Sequence, residues 1–118
     1  MTSIARTVCQ FSTKEIDNAF KHARRLLKTS SITLLYGPQQ KEYGRILVIA
    51  SRKVGNAVIR NKFKRRIKNI FYQEHMYLLG HDFICITRPG IADIDFDTLK
   101  IILTDAKAQT QSNPWQNL

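Results

Sequence analysis

Between Glu42 and Glu74 lie 31 residues without a carboxylate side chain, and nine of the chain's 19 Lys and Arg stand there: Arg45, Arg52, Lys53, Arg60, Lys62, Lys64, Arg65, Arg66 and Lys68. A water-facing helix ordinarily interleaves Glu with Lys at four-residue spacing, because unlike charges there attract and like charges repel. Cations gathered without partners are tolerated where an anion neutralises them, and a repeating phosphate backbone is such an anion. At about 100° per residue, Arg60, Lys64 and Lys68 form one ridge with Asn61 and Arg65 on the next row. All are turned from the centre of the apolar stripe of Ile59, Phe63, Ile67, Ile70 and Phe71. Just before them, Lys53, Val54, Gly55 and Asn56 put a glycine beside a helix N-terminus, whose free N–H groups favour phosphate.

The rest of the chain holds little catalytic chemistry. Asp93, Asp95 and Asp97 alternate, with Asp82 and Asp105 not far off, as a two-metal carboxylate site would require. Aspartates just ahead of a helix are ordinarily turn and cap residues, however, and that is how they are read here. No Ser/His/Asp or Cys/His arrangement has a recognisable motif around it. Cys9 and Cys85 lie 76 positions apart outside any CxxC pair, and His22, His75 and His81 are not spaced around them as zinc ligands. The reading is two reduced structural cysteines, no catalytic residue and no metal ligand in the protein.

Composition agrees with a binding role. The 118 residues, 43% hydrophobic and 24% charged, suit one modest core, and the net charge of +10 favours a polyanionic partner, nucleic acid first. The longest apolar run, residues 46–50, is far below the roughly 20 residues of a membrane span, and the N-terminus lacks a secretory apolar stretch. A cytoplasmic protein without membrane association is expected.

The elements that must carry these residues follow from periodicity. A helix is predicted from residue 12 to about 27, capped by Ser12 or Thr13, with Ile16, Ala19, Phe20 and Ala23 at helical spacing and Arg24, Arg25 and Lys28 in its last turn. Residues 31–36 alternate as a strand ending at Gly37 and Pro38. Residues 39–44 make a hairpin-like connection to a strand at 45–51, read as buried on both faces or nearly so. The long helix starts after Gly55 or Asn56 and runs to Gln73 or Glu74. A third strand covers 82–88, and a helix covers about 97–108, with Asp95 or Asp97 as cap and Leu99, Ile102, Leu103 and Ala106 on one face. The result is a single α+β domain in the order α-β-β-α-β-α, a small sheet packed with helices, with 109–118 a frayed tail.

Residues 51–67, SRKVGNAVIRNKFKRRI, resemble the signature stretch of the bacterial ribonuclease P protein subunit: a basic pair, a GNA turn and an Arg-Asn-basic-x-Lys-Arg helix after a buried strand. A weaker collinear similarity extends over about 11–108. The resemblance implies an endoribonuclease that works as a ribonucleoprotein. Its RNA subunit, with bound Mg²⁺, removes the 5′ leader of precursor tRNA, and the protein binds that RNA and the leader, one protein per RNA, without being active alone. It assigns Arg52, Lys53, Asn56, Arg60, Asn61, Lys64, Arg65 and Lys68 to the catalytic RNA. It places Phe20 and Tyr36 in a leader cleft between the first helix and the sheet, with Leu34 aligning in place of Tyr36 after a two-residue shift. Ile16 stands where the family often has an aromatic. A left-handed βαβ crossover around the long helix is implied as well.

Two other readings compete. A structural RNA-binding protein shares this charge and size but has no need of an aromatic channel for an extended strand. A DNA-binding module with the long helix in a major groove would need a positioning helix one tight turn earlier, and none is evident.

Overall fold

The computed structural model describes residues 10–111. Helix α1 (Thr13–His22) opens with a capping box: the Ser12 hydroxyl accepts from the Glu15 N–H at 3.2 Å, and the Glu15 carboxylate accepts from the Ser12 N–H at 2.9 Å. Two N–H groups without helical partners are thereby satisfied.

Residues 24–28 do not continue this helix, contrary to the periodicity reading. They form strand β1 (Arg24–Lys28), and the Thr29 hydroxyl then accepts from the N–H groups of Ser31 and Ile32 to turn the chain into β2 (Ile32–Pro38). β1 pairs antiparallel with β2, with a register shift between Arg25 and Leu27. The pairing satisfies backbone groups along the outer side of β2, which outweighs the modest helix preference of Arg-Arg-Leu-Leu-Lys. Arg24, Arg25 and Lys28 therefore stand on an edge strand.

Strand β3 (Ile46–Ala50), helix α2 (Ala57–Gln73), strand β4 (His81–Thr87) and helix α3 (Phe96–Gln111) complete the chain. The sheet order is β1-β2-β4-β3, with β4 antiparallel to β2 and parallel to β3. The link from β2 to β3 is thus no hairpin, because β4 lies between the two. The class remains α+β, with one strand more than periodicity supplied. β4, flanked on both sides, is the strand buried on both faces; β3 is an edge strand whose Leu47 and Ile49 are half-buried.

One face of the sheet carries the core. Ile32, Leu34, Tyr36, Ile46, Val48, Phe83 and Cys85 meet Phe63, Ile67, Ile70 and Phe71 of α2 and Leu99, Leu103 and Ala106 of α3. Burial pushes the Cys85 thiol up to about 12, so it packs as a small apolar group; Cys9 lies outside the described residues. Asp95 caps α3, its carboxylate accepting from the Thr98 N–H at 2.8 Å. That helix runs past residue 108, and the buried Thr110 hydroxyl donates to the Ala106 carbonyl at 2.8 Å. The remaining tail, with Trp115, lies outside the described residues. Among those described, no helix is long and apolar enough to cross a membrane.

Candidate nucleic-acid interfaces

The first surface is built around α2. After β3 a short turn at Arg52–Val54 buries Val54 and leaves Arg52 and Lys53 exposed. Gly55 follows at φ 153°, where a Cβ would meet the Ile59 side chain at 3.1 Å. The Asn56 side chain then accepts from the Ile59 N–H at 3.0 Å, capping α2. The Asn56 oxygen is thus committed to the helix, leaving its amide N–H groups for any ligand.

Along α2, Asn61 and Arg65 are exposed, and Arg60, Lys64 and Lys68 are partly exposed beside them. Lys62 and Arg66 lie 5.7 and 5.6 Å from the Phe63 ring centroid, within cation–π range of it. Among the described residues no Lys or Arg of α2 makes an ion pair; the ion pairs found there join Lys41 and Arg45 to Glu15, Arg45 to Asp82, and Lys107 to Glu74. The unneutralised charge read from the sequence is present as a continuous cationic ridge. Arg45 is the exception among the nine cations: its side chain is buried and serves a different purpose.

The second surface is the opposite face of the sheet. By register, Thr33, Leu35, Ile84, Ile86, Leu47 and Ile49 share it, with Arg25 and Lys28 of β1 beside them. α1 crosses one end, and a cleft of about 410 Å³ lies there between Asn18, Ala19, His22 and Ala23 of the helix region and Gly37, Gln40, Asp82 and Ile84. A Cβ on Gly37 would stand 3.2 Å from the His22 carbonyl oxygen, so glycine there lets the helix end approach the strand. Phe20, expected in this cleft, does not line it: the ring is 42% exposed at the surface of α1, next to Ala19, which does. The Arg88 guanidinium donates to the Thr33 hydroxyl at 3.4 Å, bringing a further cation to this face.

Tyr36 is not on this face. It is only 4% exposed, lies on the core side opposite Phe83, and meets the His81 ring edge-on at 5.1 Å. Leu34, its alternative, is fully buried in the same layer. Strand alternation sends residue 35 to the open side. Leu35 is therefore the β2 residue the sequence reading missed; the signal was the second phase of the same alternation.

A buried polar tether fixes α1 over the sheet. Asp82 Oδ1 accepts from the Arg45 N–H at 2.9 Å, and its Oδ2 accepts from the Gln40 N–H at 3.2 Å and lies 3.9 Å from the Arg45 guanidinium. That guanidinium also bonds Glu15 at 3.2 Å, donates to the Gln10 carbonyl and lies 4.1 Å from the Phe11 ring centroid. Gln40 donates to the Glu15 carbonyl at 3.0 Å and accepts from Asn18 at 3.1 Å. Hydrogen bonding from the Ser12 N–H, then Arg45, holds the Glu15 carboxyl down at about 2. Burial raises Asp82 against the opposing pull of Arg45 and the backbone N–H groups. Glu15 and Gln40 carried no functional signal in sequence, and Asp82 entered only beside the alternating aspartates as a metal carboxylate, since nothing local brings positions 15, 40, 45 and 82 together.

The alternating aspartates form no cluster: Asp95 caps α3 and Asp82 belongs to the tether. Among the described residues no three His, Cys, Asp or Glu side chains are grouped to hold a metal ion.

Residues 11–110 match the family model described as Ribonuclease P. The chain is 35% identical over 92 residues to the ribonuclease P protein component of Petrotoga mobilis, covering 74% of this chain and 77% of that protein. It is 28% identical over 89 residues to that of Streptococcus agalactiae, covering 75% and 81%. In fold it is similar to the RNase P protein of Staphylococcus aureus (TM-score 0.73, 22% identity, 86% of this chain and 93% of that one). It is likewise similar to that of Thermotoga maritima (TM-score 0.69, 24% identity, 82% and 92%).

Proposed function

The chain belongs to the ribonuclease P protein family, and from that premise we propose that its two surfaces divide the recognition of RNA between them. The family's protein component works with a catalytic RNA that removes the 5′ leader of precursor tRNA, and this chain assists that cleavage. RNA is its partner. Arg52, Lys53, Asn56, Arg60, Asn61, Lys64, Arg65 and Lys68 face the catalytic RNA, one protein to each RNA, through phosphate contacts along α2. The observation that carries this reading is the ridge itself, a run of cations with no ion pair along one helix. Each phosphate neutralised there releases counterions from the RNA, so affinity and salt dependence rise together.

The leader lies on the open sheet face. An extended single strand of variable sequence needs ring faces and apolar floor for its bases and cations for its phosphates. Phe20 supplies the ring, the half-buried Leu35 and Ile86 the floor, and Arg25, Lys28 and Arg88 the charge. The tether through Glu15, Arg45 and Asp82 holds α1, and with it Phe20, at a fixed distance from that floor. Mg²⁺ is held by the RNA; of the protein's carboxylates, Asp95 serves a helix cap and Asp82 and Glu15 the tether. The protein contributes affinity and leader discrimination, and no side chain takes part in breaking the phosphodiester.

The test is cleavage of a precursor tRNA at limiting Mg²⁺ by a bacterial ribonuclease P RNA, with and without this protein. Stimulated cleavage at the correct 5′ position, with the protein alone inactive, is expected. Tight RNA binding without stimulation would instead favour a structural RNA-binding role.

A further inference from the structure

The cationic ridge of α2 ends in an aromatic ring. Arg65 and Lys68 stand seven and four residues before Tyr72, so the ring lies on the row they begin. On a helical wheel Tyr72 is about 170° from the centre of the buried stripe of Phe63, Ile67 and Ile70, where no core needs an aromatic. It is 36% exposed. From behind, Tyr77 stacks on it at 5.7 Å between centroids and 19° between planes, and His75 packs against Tyr77 at 5.9 Å. A braced ring has less freedom to lose when a ligand stacks on it.

Tyr72 also lines a shallow surface hollow with Arg65, Arg66, Lys68 and Asn69. This set contains a flat π-face, a primary amide and three cations, and it contains no carboxylate. The acidic neighbour, Glu74, is directed to Lys107 at 3.9 Å. A ring face accepts a nucleobase, an amide donates to and accepts from a base edge, and the cations take the adjoining phosphate. Paired RNA hides its base faces within the helical stack, so only a splayed-out base can use the ring.

We propose that this hollow takes one unpaired nucleotide of the partner RNA, its base stacked on Tyr72 and its phosphate held by Arg65 and Lys68. The proposal rests on the reading that α2 faces the catalytic RNA. It gives the end of α2 a contact of a different kind from the rest of the ridge: one that depends on a base being unpaired, and so selects a structural feature of the RNA as well as its charge.

The experiment is equilibrium binding of the full-length protein to the ribonuclease P RNA of its own organism over a range of salt, with thermal melting of each variant as the control for folding. Tyr72→Ala should lose about ten-fold in affinity at unchanged log–log salt slope, since stacking releases no counterions. Tyr72→Phe should bind as the unaltered protein does. Lys68→Ala should instead reduce the slope by somewhat less than one. Chemical probing of the complex should show one unpaired nucleotide protected by the unaltered protein and exposed with Tyr72→Ala. Unchanged affinity of Tyr72→Ala would overturn the proposal, as would an equal loss in Tyr72→Phe. If Lys64→Ala and Arg65→Ala together leave the salt slope unaltered, the premise that α2 faces this RNA fails first, which separates that failure from failure of the Tyr72 site alone.

Discussion

The long helix and the open sheet face differ in how much of the chain each requires. The cationic surface of α2 comes from one continuous stretch, residues 52–72, whose periodicity alone turns the apolar side inward and the charged side outward. The open face draws on β1, β2, β3, β4 and α1, and its geometry depends on a tether joining residues 15, 40, 45 and 82. A surface made from one helix survives small changes elsewhere. A cleft between a helix and a sheet is only as well defined as the contacts that hold the two apart. In the proposed reading the chemistry differs in parallel: long-range, salt-sensitive charge along the helix, with stacking only at its Tyr72 end, against short-range stacking and apolar contact at the sheet face.

The contrast is most exposed to a change in charge. Replacing Lys64, Arg65 and Lys68 together by alanine should lower affinity for the catalytic RNA by on the order of 100- to 1,000-fold near physiological salt and flatten the log–log salt dependence by two to three units. The same variant should keep its preference for precursor over mature tRNA once complex formation is forced by concentration. A salt slope equal to that of the unaltered protein would place the RNA elsewhere and remove the distinction between the surfaces.

Phe20→Ala and Leu35→Ala probe the other side. Each should weaken precursor tRNA binding by about five- to ten-fold, leave mature tRNA binding alone and leave the salt slope of catalytic-RNA binding unaltered. Equal losses for precursor and mature tRNA would show that the open face does not distinguish the leader.

The smallest effect concerns the tether. Glu15 titrates at about 2 in the folded chain, against an ordinary 4.5, so below pH 4.5 the unfolded chain takes up this proton first. Its contribution to stability is complete above that pH and fades as pH falls towards 2. Asp82, displaced upward by burial, acts in the opposite sense. Glu15→Gln should therefore melt a few degrees below the unaltered protein at pH 7, and the two should converge on acidification. Melting temperatures that stay parallel down to pH 2 would mean that the Glu15 charge does not help to hold α1.

Much of this molecule was legible from residue types. The capping box at Ser12 and Glu15, the run of apolar residues in β3, the start and end of α2 and the cap at Asp95 are local features. The sequence reading placed them within a few residues of where they fall. The ridge of Arg60, Lys64, Arg65 and Lys68 was legible for the same reason: a helix converts sequence spacing directly into a direction in space.

Tertiary structure decided what spacing could not. Residues 24–28 become a strand only because β2 offers an unpaired edge, and β4 enters between β2 and β3 only after the chain has passed through α2. Tyr36 and Leu35 show the limit most sharply. Alternation establishes that they point to opposite sides of β2, but both phases of that strand carry apolar residues, so the pattern contains no statement of which side the helices cover. Arg45 looked like one more cation in a basic run until Asp82 and Glu15, 37 and 30 positions away, enclosed it. Local chemistry is written in neighbouring residues. The choice of buried face, strand partner and ion-pair partner belongs to contacts between distant ones, which form only when the whole chain has folded.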